Sequence, residues 1–255
     1  MEPHRAILVT LVVAILGAGT WSHSPRPQAQ PGAGMHPPTP SSARAASGIL
    51  AGRVLFAGAE IPQPTQVENT TDPAECGELH SLEDVIISRK NGGIKNVIVA
   101  VKGVPLPKGY RPQTSRLVLE NRDCRFEPHV AVLTTGSSIE GVNSDPIFHS
   151  VHLYGLRNLN LALAPGGAKL AYTVKHPGYI IVKCDIHGWM QAFIRVDEHP
   201  FHSVTAADGS FRIEGVPPGS YTLEIWHELF GSQEISVRVE PDQVSRATIY
   251  YPAPE

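Results

Sequence analysis

The chain has 255 residues, 42% of them hydrophobic and 18% charged, enough for one large domain or two small ones with apolar cores. Its formal net charge is −3, with 21 Lys and Arg against 24 Asp and Glu, and no basic stripe runs through it. A nucleic-acid-binding role therefore has little electrostatic support.

The chain opens with Arg5 ahead of an apolar run from Ala6 to Gly19. A basic residue followed by a run short for a spanning helix predicts a secretory signal over residues 1–21. No A-x-A cleavage signal follows closely, so an uncleaved membrane anchor is the alternative; either way the remainder is exported, to a periplasm or a cell surface. Nothing later approaches the roughly 18 apolar residues needed to cross a bilayer. Residues 22–47 are rich in Pro, Ala, Ser and Gly without hydrophobic periodicity, which predicts a disordered linker.

Beyond residue 48 no convincing helix is legible. Twelve short runs, among them AGRVLFAG, KNVIVAVKG, HSVHLYG, YIIVKCD and SYTLEIWHE, read as strands bounded by Gly, Pro, Asn and Asp. They predict an all-β chain, and their number exceeds one small sandwich. Within AADGSFRIEGVPPGSYTLEIWHE, Asp208-Gly209 and Pro217-Pro218-Gly219 supply turns. Phe211, Ile213, Tyr221, Leu223 and Ile225 alternate toward one face. With its D-G-x-F turn followed by P-P-G-x-Y, the stretch resembles the end of a carboxypeptidase regulatory-like domain, a small transthyretin-like sandwich. The opening strands of such a domain are matched far upstream, by GRVLFAG near residue 52 and GGIKNVIVAVKG near residue 93. The resemblance implies a discontinuous domain of residues 48–112 and 198–255, with a second sandwich at 113–197 inserted into it. Two domains in series are the alternative. Domains of this family commonly contact carbohydrate or protein.

Three cysteines are present. In an exported chain two are expected to pair. Cys76 and Cys124 are expected to form a disulfide tying the upstream segment to the inserted one, with two separate thiols as the alternative. Closing such a loop is worth roughly 4 kcal/mol on the chain-entropy model. That leaves Cys184, in KCDIHGWMQAF, beside His187 and Met190. A further histidine, His149, lies in GVNSDPIFHSVHLYG; His152 follows at an odd spacing, so on a strand it points to the opposite face. A thiolate and a thioether beside imidazoles favour copper over calcium, magnesium or manganese, whereas zinc rarely takes a thioether.

Residues 115–197 resemble a cupredoxin, and most of all the amicyanins, in the NSDPIFHSVH segment and the short C-x2-H-x2-M loop. The resemblance implies a cupredoxin-type Greek-key β-sandwich holding one type 1 copper. Its ligands would be His149, Cys184 and His187, with Met190 as the weak axial donor and His152 left out. It also implies that Asn143 closes the strand before the first ligand. The family usually has Asn after the first ligand His and Ser or Thr after the Cys; here Ser150 and Asp185 stand there. A Ser150 hydroxyl donating to the Asp185 carboxylate would restore the tie with roles exchanged, and that carboxylate would lower the reduction potential. His187 would emerge through an apolar patch of Pro146, Ile147, Gly188 and Trp189.

A metal with four protein ligands leaves no open position, so the chain reads as a non-enzymatic carrier of single electrons. Its partner would be a c-type cytochrome or another exported oxidoreductase. A cell-surface binding or adhesion module, or a copper-handling protein, is the alternative. His129, His176, His199, His202 and His227 define no second metal site, and His227-Glu228 lacks the second His of a zinc-protease helix.

Overall fold

The structure is a computed structural model that describes residues 46–155, 158–167 and 170–253. The expected signal or anchor, and the linker up to residue 45, lie outside the described residues. Among those described, no helix is long and apolar enough to cross a membrane.

Among the described residues, eighteen strands follow one another. They are β1 (Gly48–Phe56), β2 (Gln66–Glu68), β3 (Leu79–Ser81), β4 (Ile98–Lys102), β5 (Arg116–Arg122), β6 (Arg125–Glu127), β7 (Val130–Thr134), β8 (Ser138–Asn143) and β9 (His149–Gly155). The rest are β10 (Leu159–Leu163), β11 (Leu170–Thr173), β12 (Gly178–Lys183), β13 (Gln191–Asp197), β14 (His202–Val204), β15 (Ser210–Val216), β16 (Gly219–His227), β17 (Gly231–Val239) and β18 (Val244–Tyr251). All twelve strands read from the sequence are present. The six that were not read are β2, β3, β6 and β14, each three residues long, and β8 and β10, in which Gly141 and a Leu-Asn-Leu-Ala-Leu run dilute the β-branched signal. Among the described residues the one helical element is α1 (Pro73–Cys76), a single turn where the sequence shows no helical pattern.

Two apolar cores organise the sheets. One lies between the five-stranded sheet β10-β9-β12-β13-β7 and the four-stranded sheet β11-β8-β5-β6. Alternation places Val151 and Leu153 of β9, Ile180 and Val182 of β12, and Ala192, Ile194 and Val196 of β13 on its inner face. The other lies between β15-β1-β18 and β14-β4-β16-β17. Leu50, Val54, Val99, Val101, Phe211, Ile213, Tyr221, Leu223, Ile225 and Ile249 fill it. Residues 48–56, 87–104 and 201–251 thus share one core, and 117–196 occupy the other together with Val67, Cys76 and Leu82.

The Asp208-Gly209 turn joins β14 to β15, with the Gly209 amide donating to the Ala206 carbonyl. Gly209 has φ +76°, and a Cβ there would lie 2.3 Å from the Val54 carbonyl oxygen, so only glycine fits.

Where the cores meet, Ile98, Val130 and Phe193 pack beside Trp226 and Tyr179. An ion network crosses the same boundary. Arg195 donates to Asp197 at 3.0 Å, to the Tyr179 hydroxyl at 2.9 Å and to Glu224 at 2.8 Å; His202 lies 2.7 Å from Asp197. Burial pushes the Tyr179 hydroxyl up to about 12. Burial disfavours the charged form of Asp197, but His202 and Arg195 outweigh it and hold the carboxyl below its ordinary range.

Candidate metal centre

The inward alternation of β9 ends on His149, and that of β12 runs on through Val182 to Cys184, so both side chains enter the same end of the first core. His149 and His187 have no exposed surface and Cys184 is buried. After Cys184 the chain makes a tight loop: the Met190 amide donates to the His187 carbonyl at 3.0 Å, and the Cys184 amide to the Met190 carbonyl at 3.2 Å. This closes the C-x2-H-x2-M spacing and brings the His187 ring over the thiol. Met190 is also buried.

Three donor atoms converge. The two Nδ1 atoms lie 3.0 Å apart, and the Cys184 Sγ lies 3.6 Å from that of His187 and 4.0 Å from that of His149. A trigonal ion with metal–nitrogen and metal–sulfur lengths near ~2.05 and ~2.3 Å asks for separations of roughly 3.6 Å between nitrogens and 3.8 Å from sulfur to nitrogen. The site matches the second and is slightly tighter on the first.

The outer ring nitrogens decide which lone pairs face inward. His149 Nε2 is 2.8 Å from the Asp145 carboxylate and His187 Nε2 is 3.2 Å from that of Asp72. With each Nε2 donating its proton, both Nδ1 lone pairs point at the thiol, an arrangement that a cation relieves. Burial lowers the His149 pKa, opposed by its bond to Asp145, which favours the neutral imidazole that ligation requires. The donor set, two imidazoles and a thiolate with a thioether in the same loop, suits copper.

Neither carboxylate was singled out from the sequence. Asp145 sits four residues before His149, a spacing visible in NSDPIFH. Its oxygens also accept the Asp123 amide at 2.8 Å and the Cys124 amide at 3.0 Å, so the disulfide-bearing turn holds it. Asn143 pins the same loop: it donates to the carbonyls of Ile147 and Leu163 and accepts the Asp145 amide. Asp72 comes from 115 residues before His187 and has no local signature.

Asp72 belongs to a strap absent from the sequence reading. The β2-β3 ribbon and α1 cross the metal loop. They are fastened by the Cys76–Cys124 disulfide and by Val67, Cys76 and Leu82, which pack on the first core. The His80 ring stacks on Trp189 at 3.9 Å with their planes 1° apart. Cys184 is the free thiol among the described residues.

Two expectations need correction. The Ser150–Asp185 tie exists, but the backbone carries it: the Asp185 amide donates to Ser150 Oγ at 2.7 Å, and the Ser150 amide donates to Cys184 Sγ at 3.3 Å. The Asp185 carboxylate faces outward to His152 at 3.0 Å and to Asn160 at 2.5 Å, because position 185 alternates away from the thiol. It raises the His152 pKa, and His152 in turn lowers that of Asp185. The expected exit patch is also incomplete. Pro146 and Gly188 are exposed and Ile147 is half-buried. His187 and Trp189 are covered by the strap, and the Trp189 indole donates to the Cys124 carbonyl at 3.0 Å. Phe148, 57% exposed, and Ile186, 37% exposed, stand beside His149 and His187 in sequence instead.

Residues 191–251 match the family model of the carboxypeptidase regulatory-like domain. The match begins with β13, a strand whose hydrogen bonds lie in the first sandwich. No curated protein matches the chain. Among solved structures it is similar to the copper-containing nitrite reductase from Thermus scotoductus SA-01, at 23% identity, 32% coverage of this chain and TM-score 0.30. A purple cupredoxin from Nitrosopumilus maritimus is 15% identical, with 32% of this chain and 99% of that one covered and TM-score 0.29. For amicyanin from Paracoccus versutus the values are 14%, 39% and 97%, and 0.29. The match spans only 22% of the reductase chain. At these scores the likenesses carry no weight for the metal centre, which stands on its own geometry.

Proposed function

We propose that the chain is an exported type 1 copper protein that carries single electrons and is not an enzyme. The observation that carries this reading is the buried convergence of His149, His187 and Cys184, with the outer nitrogen of each histidine held by a carboxylate. Met190, in the closed loop, would be the fourth donor. Copper so held would supply one-electron redox chemistry, while the protein's own groups fix ligand orientation and exclude water.

The β-strands that hold His149 and Cys184 would keep one geometry in both oxidation states. The Ser150 amide would withdraw charge from the thiolate and tie the two ligand loops together. A c-type cytochrome or another exported oxidoreductase would dock over Pro146, Phe148, Ile186 and Gly188, an apolar patch suited to a brief encounter. Residues 48–112 and 198–255 would form the discontinuous regulatory-like domain as a scaffold for this unit. Export is supported by the Cys76–Cys124 disulfide.

The test is the visible and electron-paramagnetic-resonance spectrum of copper-loaded protein beside Cys184→Ser. An intense blue band lost in the variant is expected; colourless copper in wild-type protein overturns the reading in favour of copper handling.

A further inference from the structure

Covering His187 leaves the metal centre with a different electronic contact. From His149 the rings run in series: His149 to His187 at 4.7 Å between centroids, His187 to Trp189 at 5.2 Å, and Trp189 to His80 at 3.9 Å. The series ends at a cleft of about 710 Å³, on whose wall His80, Trp189 and Met190 all lie. Across and around it stand Glu83, Lys95 and Arg125. Polar and charged side chains of both signs make up most of the lining, with Trp189, Phe126 and Met190 in its apolar part, so the cleft suits a small aromatic molecule that carries hydroxyls. His80 is only 8% exposed, and its Nε2 is buried without a hydrogen-bond partner.

We propose that this cleft binds a small aromatic reductant of the hydroquinone class, and that Trp189 and His80 form its electronic contact with the metal centre. The aromatic body lies against the ring wall, and its hydroxyls reach Glu83, Lys95 or Arg125. Copper held by His149, His187 and Cys184 would take one electron from the ring, while one O–H bond breaks and its proton leaves to solvent at the exposed Arg125 rim. The resulting semiquinone radical would give its second electron to the copper of another chain while its remaining O–H bond breaks and that proton leaves to solvent, so that a quinone is released. Electrons thus enter at the cleft and leave at the Phe148 patch. This proposal rests on the copper reading, but the cleft's occupancy does not depend on the metal.

The test therefore starts with metal-free protein titrated with 1,4-hydroquinone by calorimetry. Saturable binding is expected, weakened at least tenfold in Ser81→Trp and Arg125→Trp, two variants that fill the cleft from different strands. In copper-loaded protein, the rate of bleaching by hydroquinone should saturate with concentration and fall at least tenfold in both variants and in Trp189→Phe. Bleaching by a small inorganic outer-sphere reductant should be unchanged in Ser81→Trp. No saturable binding to folded wild-type protein, or binding equally tight in both cleft-filling variants, overturns the inference while leaving the blue spectrum intact. Failure of the blue spectrum alone overturns the copper reading, and the metal-free titration still decides the cleft.

Discussion

The two cores bury histidines in different ways. In the first, His149 and His187 each have an outer nitrogen on a carboxylate and an inner nitrogen aimed at a thiol. In the second, His227 is just as buried, but its Nδ1 only accepts the Leu229 amide and its Nε2 has no partner. Burial alone therefore does not mark a site. What marks one is a histidine oriented from behind by a carboxylate toward other donors, because the protein has then spent hydrogen bonds on fixing lone pairs inward rather than on satisfying the ring.

The contrast is broken most severely by replacing Cys76 and Cys124 together with serine. Opening a loop with a sequence separation of 48 should cost about 4 kcal/mol on the chain-entropy model and release Asp72 and His80 from the metal loop. Denaturant midpoints and the Trp189 environment in fluorescence would register both effects; an unchanged midpoint would refute the fastening role.

Next comes acid stability, to which the second core contributes through His227. Burial pushes His227 down to about 4, so its neutral form is the folded one. Folding stability from this residue is present above its unfolded value near 6.5 and is lost as pH falls from there through about 4. The loss is on the order of 3 kcal/mol. His227→Phe should flatten that limb of the stability curve, and an equally steep limb in the variant would show that other groups govern it.

Smaller effects separate the two carboxylates. Asp145→Asn should weaken copper binding about 10–100-fold, since outer-shell partners of metal-bound histidines carry that range. Asp72→Asn should weaken it less, because Asp72 is 44% exposed whereas Asp145 is buried and holds two backbone amides as well. Competition titration with a copper chelator orders them, and a larger loss for Asp72→Asn would reverse the assignment. The smallest change is expected for Asp185→Asn. Its carboxylate is engaged with His152 and Asn160 and faces away from the thiol, so the reduction potential should move less than in either of the other variants. A voltammetric shift exceeding theirs would restore a direct role for that charge.

Much of both cores was legible because a two-residue period and a loop spacing are local properties. His149, Cys184, His187 and Met190 announce themselves through residue type and interval, and Phe211 through Ile225 through alternation. The Ser150–Asp185 tie was legible as a pair of positions but not as chemistry, since a backbone amide donates whatever side chain it carries. The strap was not legible: β2 and β3 are three residues each, too short for a period to show, and α1 is a single turn.

The sequence by itself determined an all-β chain, the spacing of the soft donors and the cysteine left over for them, because strand alternation and loop length are set by neighbouring residues. Only the tertiary structure decided that His187 is covered, that Asp72 and Asp145 aim the two rings, and that Trp189 leans on His80 rather than on solvent. Those contacts join residues separated by as many as 115 positions, and their geometry exists only once the disulfide and the core have folded the strap across the metal loop.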